Sequence, residues 1–241
     1  MKTYKARGIV LNTIKYGDSA MVAHLLTDTF GRQSHMVQGV RSSRGHGSKM
    51  ALFQPMFALE FEGLQSSKME MHRLRDVHNG LVLKSVPYDV RKSTIALFMA
   101  EVLYRLIGES EANEALFAFV WGSIEALDAL QEGVANFHLW FLANISRFLG
   151  FSPADNYSTG ALFDMREGVF TTALPLHNDV FGREYAEVLR DLLECDVRYL
   201  GEIGLNRHQR VDILNALVAY YTLHLESIRN VKSIAILQEV F

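Results

Sequence analysis

Cysteine is almost absent from this chain. Among 241 residues only Cys195 carries a thiol, so no internal disulfide and no thiolate zinc site can form. Glu194 and Asp196 flank it, and two neighbouring carboxylates disfavour a thiolate nucleophile. The nine histidines never fall into the H-E-x-x-H spacing of a helix-borne zinc site. His138, His208 and His224 lie on predicted helices and read as structural. A nucleotide-binding P-loop is missing as well. Its nearest text, Gly45-His46-Gly47-Ser48-Lys49, reverses Ser and Lys and lacks the leading glycine. No G-x-G-x-x-G occurs, and no Ser/His/Asp set can be assembled. Catalysis is therefore not expected. No run of 18 apolar residues exists, so no membrane span is expected. The start, Met-Lys-Thr-Tyr-Lys-Ala-Arg-Gly, lacks the apolar stretch of a secretion signal. These absences point to a cytoplasmic protein.

What is present is unevenly charged. The net charge is −3. Residues 1–84 hold 12 Lys and Arg against 6 Asp and Glu, whereas the remainder holds 12 against 21. A cationic first third on an anionic body suggests that one part meets a polyanion. The densest cationic stretch, Arg41-Ser-Ser-Arg44-Gly-His-Gly-Ser-Lys49, has almost no apolar surface to bury and reads as a solvated loop. Such a loop can touch phosphates through side chains and free N–H groups; a plain solvated hairpin tip is the alternative. The candidate nucleic-acid contacts are Lys5, Arg7, Lys15, Arg32, Arg41, Arg44, Lys49, Arg73 and Arg75. Tyr4, Tyr16, Phe30 and Phe53 are candidate stacking rings, while Phe57 and Phe61 read as core.

Five alternating segments, 4–14, 19–27, 32–40, 56–62 and 68–77, recur at about 12-residue spacing and are joined by turn chemistry such as Tyr16-Gly17-Asp18. They predict a small antiparallel barrel, of the oligonucleotide-binding (OB) type first and SH3-like second. After Pro87-Tyr88-Asp89, a linker and helix cap, the period changes to that of helices. Helices are predicted from about 94, 112, 135, 183 and 206. Ala161–Asp164 and Val169–Thr172 flank Met-Arg-Glu-Gly as a β-hairpin. The chain therefore reads as α+β. A barrel occupies residues 1–80; a mainly helical domain occupies 81–241, with a hairpin insert at about 151–180.

Arg7-Gly-Ile-Val-Leu11, Tyr16-Gly-Asp-Ser19, Leu25-Leu-Thr27, Gly31-Arg32, Gly39-Val-Arg41 and Phe53-Gln-Pro55, in this order and spacing, resemble the start of the bacterial RecO family of recombination mediators. Gly150-Phe-Ser-Pro153 opens a later part that is similar in plan. The resemblance implies an N-terminal OB domain, no turnover, and DNA repair and recombination in the cytoplasm at the nucleoid. It implies binding of single- and double-stranded DNA, annealing of complementary strands, and work with RecR and single-strand binding protein to load RecA. It implies also a site on the helical domain for the acidic, apolar tail of single-strand binding protein, for which Arg91, Lys92, Arg105 and Arg147 are the candidate cations. Many family members carry four zinc-binding cysteines after Gly-Phe-x-Pro; here Asn156, Tyr157 and Ser158 stand nearby, so a degenerate, zinc-free hairpin held by Leu162, Phe163, Val169 and Phe170 is expected. The rival reading is an adaptor whose basic barrel binds an acidic protein.

Overall fold

The computed structural model describes residues 2–39, 49–65, 71–108, 112–228 and 230–241. By proximity along the backbone the chain forms two compact units: Met1–Tyr88 with Ala96–Glu125, and Asp89–Ile95 with Ala126–Phe241. The first contains the expected barrel. Strands β1 (Lys2–Tyr16), β2 (Ala20–Thr27), β3 (Gly31–Gln38), β4 (Ala58–Gln65) and β5 (His72–Asn79) close in the order β1-β2-β3-β5-β4. The long β1 makes closure possible. A bulge between Val10 and Asn12 bends it, so that its first half pairs with β4 and its second with β2. The final seam is a short parallel pairing of β3 and β5 at His35↔His72 and Met36↔Arg73. This arrangement is the OB type.

Alternation places Ala6, Val10, Met21, Ala23, Leu25, Val37, Leu59 and Phe61 inside. Phe53 joins them from a 3-10 turn, Lys49–Phe53, and Phe57 packs half-buried against the cluster. Gly63 is required opposite Tyr4. A Cβ there would lie 2.1 Å from the tyrosine ring, so only glycine lets the ring cross its strand. Helices α1 (Val90–Leu106) and α2 (Glu114–Ala129) follow, each contributing to both units. Asp89 starts α1 by accepting from the Arg91 N–H at 2.8 Å. Ile95, Phe98, Met99, Val102 and Leu103 are all buried, as expected of a central helix.

In the second unit, α3 (Phe137–Ile145) lies between two 3-10 turns, shorter than the predicted helix over 135–149. Gly150, at φ +86°, turns the chain away. Helices α4 (Arg183–Glu194) and α5 (Arg207–His224) pack against α3, and α6 (Ser233–Val240) closes the chain. Asn206 and Gln209 cap α5 reciprocally. The expected hairpin is there as β6 (Leu162–Asp164) and β7 (Val169–Thr171), with a third strand, β8 (Val180–Phe181), on the free edge of β6. Two residues are too few for alternation to announce a strand. Phe163 lies at the centre of this insert, its ring 5.0 Å from Phe170, 5.7 Å from Phe181 and 5.3 Å from Tyr220.

Candidate nucleic-acid interface

The strand registers sort the candidate cations into distinct groups. Lys5 on β1 faces Glu62 on β4, which faces Arg75 on β5; one step along, Arg7 faces Glu60, which faces His78. In the first of these rows charges of opposite sign alternate across three strands, with Lys5 3.9 Å from Glu62. Arg7 is engaged further. Its Nε donates to Asp28 at 3.1 Å, its backbone N–H to the same carboxylate at 3.0 Å, and its guanidinium lies 5.3 Å from the Phe117 ring and 5.2 Å from Trp121. Asp76 joins these groups around a cleft of about 430 Å³, so Asp28, Glu60, Glu62 and Asp76 offset its cations.

Arg32 serves the fold. Its Nη1 donates to the carbonyls of Tyr104 (2.7 Å) and Ile107 (2.6 Å), and its guanidinium stacks 4.3 Å from the Tyr104 ring. A cation at a helix C-terminus satisfies orphan carbonyls and meets the negative end of the dipole. Lys15 and Arg73 differ from these. Among the described residues, neither has a carboxylate within ion-pair distance. Lys15 is exposed on the rim where β1 turns into β2; Arg73, half-buried, pairs with Met36 where the barrel closes. Arg41 and Arg44 lie outside the described residues, and Lys49 is placed only by its backbone at the start of the 3-10 turn.

The aromatic candidates divide similarly. Phe53 is 4% exposed in the core. Tyr4 points inward, its ring 4.7 Å from Phe30 and its hydroxyl 2.6 Å from His72 Nδ1 and 3.3 Å from His35 Nε2. Burial pushes the Tyr4 phenol up to about 12 and, helped by the charges of His72 and His24, holds His35 down at about 3. Tyr16 alone of the four presents an open ring, 56% exposed. Its outer row is Tyr16–Ala20–Gln38, and the next is Ile14–Val22–Met36–Arg73. The periodicity of β1 gave no sign of Ile14 as a surface residue, because the bulge shifts the alternation beyond Val10.

The candidate partner cations also have separate fates. Arg91 pairs with Asp89 at 3.0 Å, and Arg105 with Glu101 at 3.0 Å. Lys92 is 3% exposed and donates to the Asp128 carbonyl at 2.9 Å, closing the end of α2. Arg147 is exposed. It donates to the Leu193 carbonyl at 2.7 Å and, among the described residues, has no carboxylate partner. It lines a cleft of about 310 Å³ with Pro153, Tyr157, Phe170, Arg190 and Leu193, and with the carboxylates Asp155 and Glu194. Tyr157 and Arg190, stacked 4.8 Å apart, were not singled out by the sequence.

At the hairpin, Asn156 hydrogen-bonds both polar backbone groups of Phe170 at 3.0 Å, and Asp164 accepts from the N–H groups of Arg166 and Glu167. Among the described residues no group of three or more His, Cys, Asp or Glu could hold a metal ion. This donor set does not fit a four-thiolate zinc site. Cys195 has its thiol pushed up by burial and by Asp196, Glu202 and Asp191. No helix among the described residues is long and apolar enough to cross a membrane.

Comparison with known proteins matches the geometry. Residues 1–79 match the family model for the recombination protein O N terminal, and residues 87–233 that for its C terminal. The DNA repair protein RecO of Bacteroides fragilis is 38% identical over 239 residues, covering 98% of both chains. RecO of Phocaeicola vulgatus is 35% identical over 98% of both, and that of Azobacteroides pseudotrichonymphae 30% over 99%. With its barrel and its helical part each matched, and relatives alike along nearly their whole length, the chain belongs to the RecO family of DNA repair proteins.

Proposed function

We propose that this chain is a non-enzymatic recombination mediator. It binds single- and double-stranded DNA, anneals complementary strands and, with RecR and single-strand binding protein, helps load RecA. The observation that carries this reading is an OB barrel, in a DNA repair family, whose rim holds cations without carboxylate partners among the described residues. Annealing follows physically. Neutralising phosphates on two strands lowers their repulsion, while backbone contacts leave the bases free to pair. With about four to six phosphate contacts, log affinity for an oligonucleotide falls against log salt with a slope of about −3 to −5. Replacing Arg41 and Arg44 together by Ala flattens it by about one to two units. An anisotropy titration checks both, and an unchanged slope removes that segment from the interface.

The acidic, apolar tail of single-strand binding protein is assigned here to the cleft at Arg147, whose guanidinium, with no carboxylate within ion-pair distance among the described residues, stands beside Pro153, Tyr157 and Leu193, with Asp155 and Glu194 also on the lining. Arg147→Ala should weaken a labelled tail peptide by more than fivefold and leave DNA affinity unchanged. The hairpin insert folds without zinc in this reading, held by Phe163 and by Asn156. Elemental analysis finding one zinc per chain would reject that.

A further inference from the structure

The second unit carries an apolar groove with a lip of one charge sign. It encloses about 550 Å³ between the outer face of α4 and residues 199–205. Helix α4 buries Ala186, Leu189 and Leu192. On its other face Glu184, Glu187, Asp191 and Glu194 recur at spacings of three, four and three, with Val188 among them. The facing wall supplies Glu202 and three apolar side chains, of which Ile203 and Leu205 are half-buried and Tyr199 is 54% exposed. Five carboxylates therefore line the groove, and no Lys or Arg does. Their compensation is partial. Arg190, off the lining, pairs with Asp191 at 2.7 Å and Glu187 at 3.6 Å, and Gln209 donates to Glu184 at 2.9 Å. Glu194 and Glu202 have no cation within ion-pair distance among the described residues. The Cys195 thiol beside them is raised by burial and then by Asp196, Glu202 and Asp191, as a negative local field requires.

We propose that this groove docks a basic amphipathic helix of a partner protein: its apolar stripe lies on Val188, Tyr199, Ile203 and Leu205, and its Lys or Arg side chains meet the carboxylates of α4 and Glu202. Charge excludes nucleic acid, because five carboxylates repel phosphate. Spacing selects a helix over an extended peptide. The carboxylates of α4 repeat about every 5 Å and span about 15 Å, which a second helix with cations three and four residues apart matches along its whole length. An extended peptide repeats its same-face side chains about every 7 Å and runs out of register within a few residues. A second copy of this chain does not fit either. Nowhere in its sequence do three Lys or Arg follow one another at spacings of three and four. The occupant is therefore a different protein, recognised in the helix-in-groove manner. This assignment stands apart from the DNA-binding reading and from the cleft at Arg147.

The test titrates the full chain with a labelled helical peptide of about 16 residues carrying four Lys at that spacing beside a leucine stripe. A permuted peptide of the same composition, without the spacing, is the control. The parent should bind the ordered peptide at least about tenfold more tightly than the permuted one. Glu187→Gln with Glu202→Gln should weaken the ordered peptide about 3- to 30-fold, as two exposed ion pairs would. Tyr199→Ala should weaken it without altering the salt dependence. Glu187→Lys with Glu202→Lys should lose the Lys peptide and gain its counterpart with Glu at the same positions. All these side chains are exposed, and a thermal melt of each variant checks its fold. Equal binding of ordered and permuted peptides reduces the groove to a general attraction for cations and overturns the proposal. So does no binding, or binding that the charge swap leaves unchanged. A change of oligomeric state in the charge-swapped chain would give the groove to a second copy and overturn it too. None of these results bears on affinity for DNA.

Discussion

The buried histidine at the barrel seam should make the first unit acid-labile. His35 is fully buried, with its ring 5.4 Å from Phe61 and 5.8 Å from His72. Burial first, then the charges of His72 and His24, lower it from 6.5 to about 3. The native state therefore holds His35 neutral while the unfolded chain binds a proton below about pH 6.5. Its contribution is complete above pH 6.5 and is lost as pH falls toward about 3. Between pH 7 and pH 5 this single group costs about 2 kcal/mol of stability, less than the limiting slope of about 1.4 kcal/mol per pH unit would give, because the unfolded histidine is still titrating over the first unit. His72, lowered in the same direction by desolvation, adds to the slope. Trp121 belongs to this unit and Trp140 to the other, so urea unfolding of a Trp140→Phe background reports on the barrel side. The stability lost between pH 7 and pH 5 should be about 2 kcal/mol smaller for His35→Gln than for the parent. Equal losses in the two proteins, or a native His35 ring titrating above pH 6 by NMR, would refute the reasoning.

Two further outcomes follow from the same barrel. Arg32→Met leaves the carbonyls of Tyr104 and Ile107 without their donor. It should cost about 2–3 kcal/mol in urea unfolding and leave the salt slope of DNA binding unchanged; a flatter slope with full stability would place Arg32 on DNA. Gly63→Ala drives a Cβ into the Tyr4 ring and breaks the hydroxyl's contacts with His35 and His72. A loss of about 2–4 kcal/mol is expected, with Tyr4→Ala and Gly63→Ala combining less than additively.

The barrel was legible because its strands are half-buried and therefore alternate. Val37, Leu59 and Phe61 advertise the inner face by period alone. The parallel seam between His35 and His72 was not legible, since it joins residues far apart in sequence whose types say nothing of each other. The fates of Arg32 and Lys92 were hidden for another reason. A cation in a sequence carries no mark of whether its partner is a phosphate or a distant helix carbonyl, and here both meet carbonyls. The hairpin could be read around Gly168, which needs positive φ to turn it. That Asn156 ties itself to the backbone of Phe170 could not, because a side chain imitating a strand leaves no periodic trace. Tyr16 stood out only after burial had taken Tyr4, Phe30 and Phe53 into packing roles.

The most direct trial of the account is the rate at which two complementary oligonucleotides, each coated with single-strand binding protein, pair in the presence and absence of this chain. The mediator reading predicts faster pairing that saturates with chain concentration and fades as salt rises. Pairing at the same rate with and without the chain, at a salt concentration where it binds either strand, would contradict it.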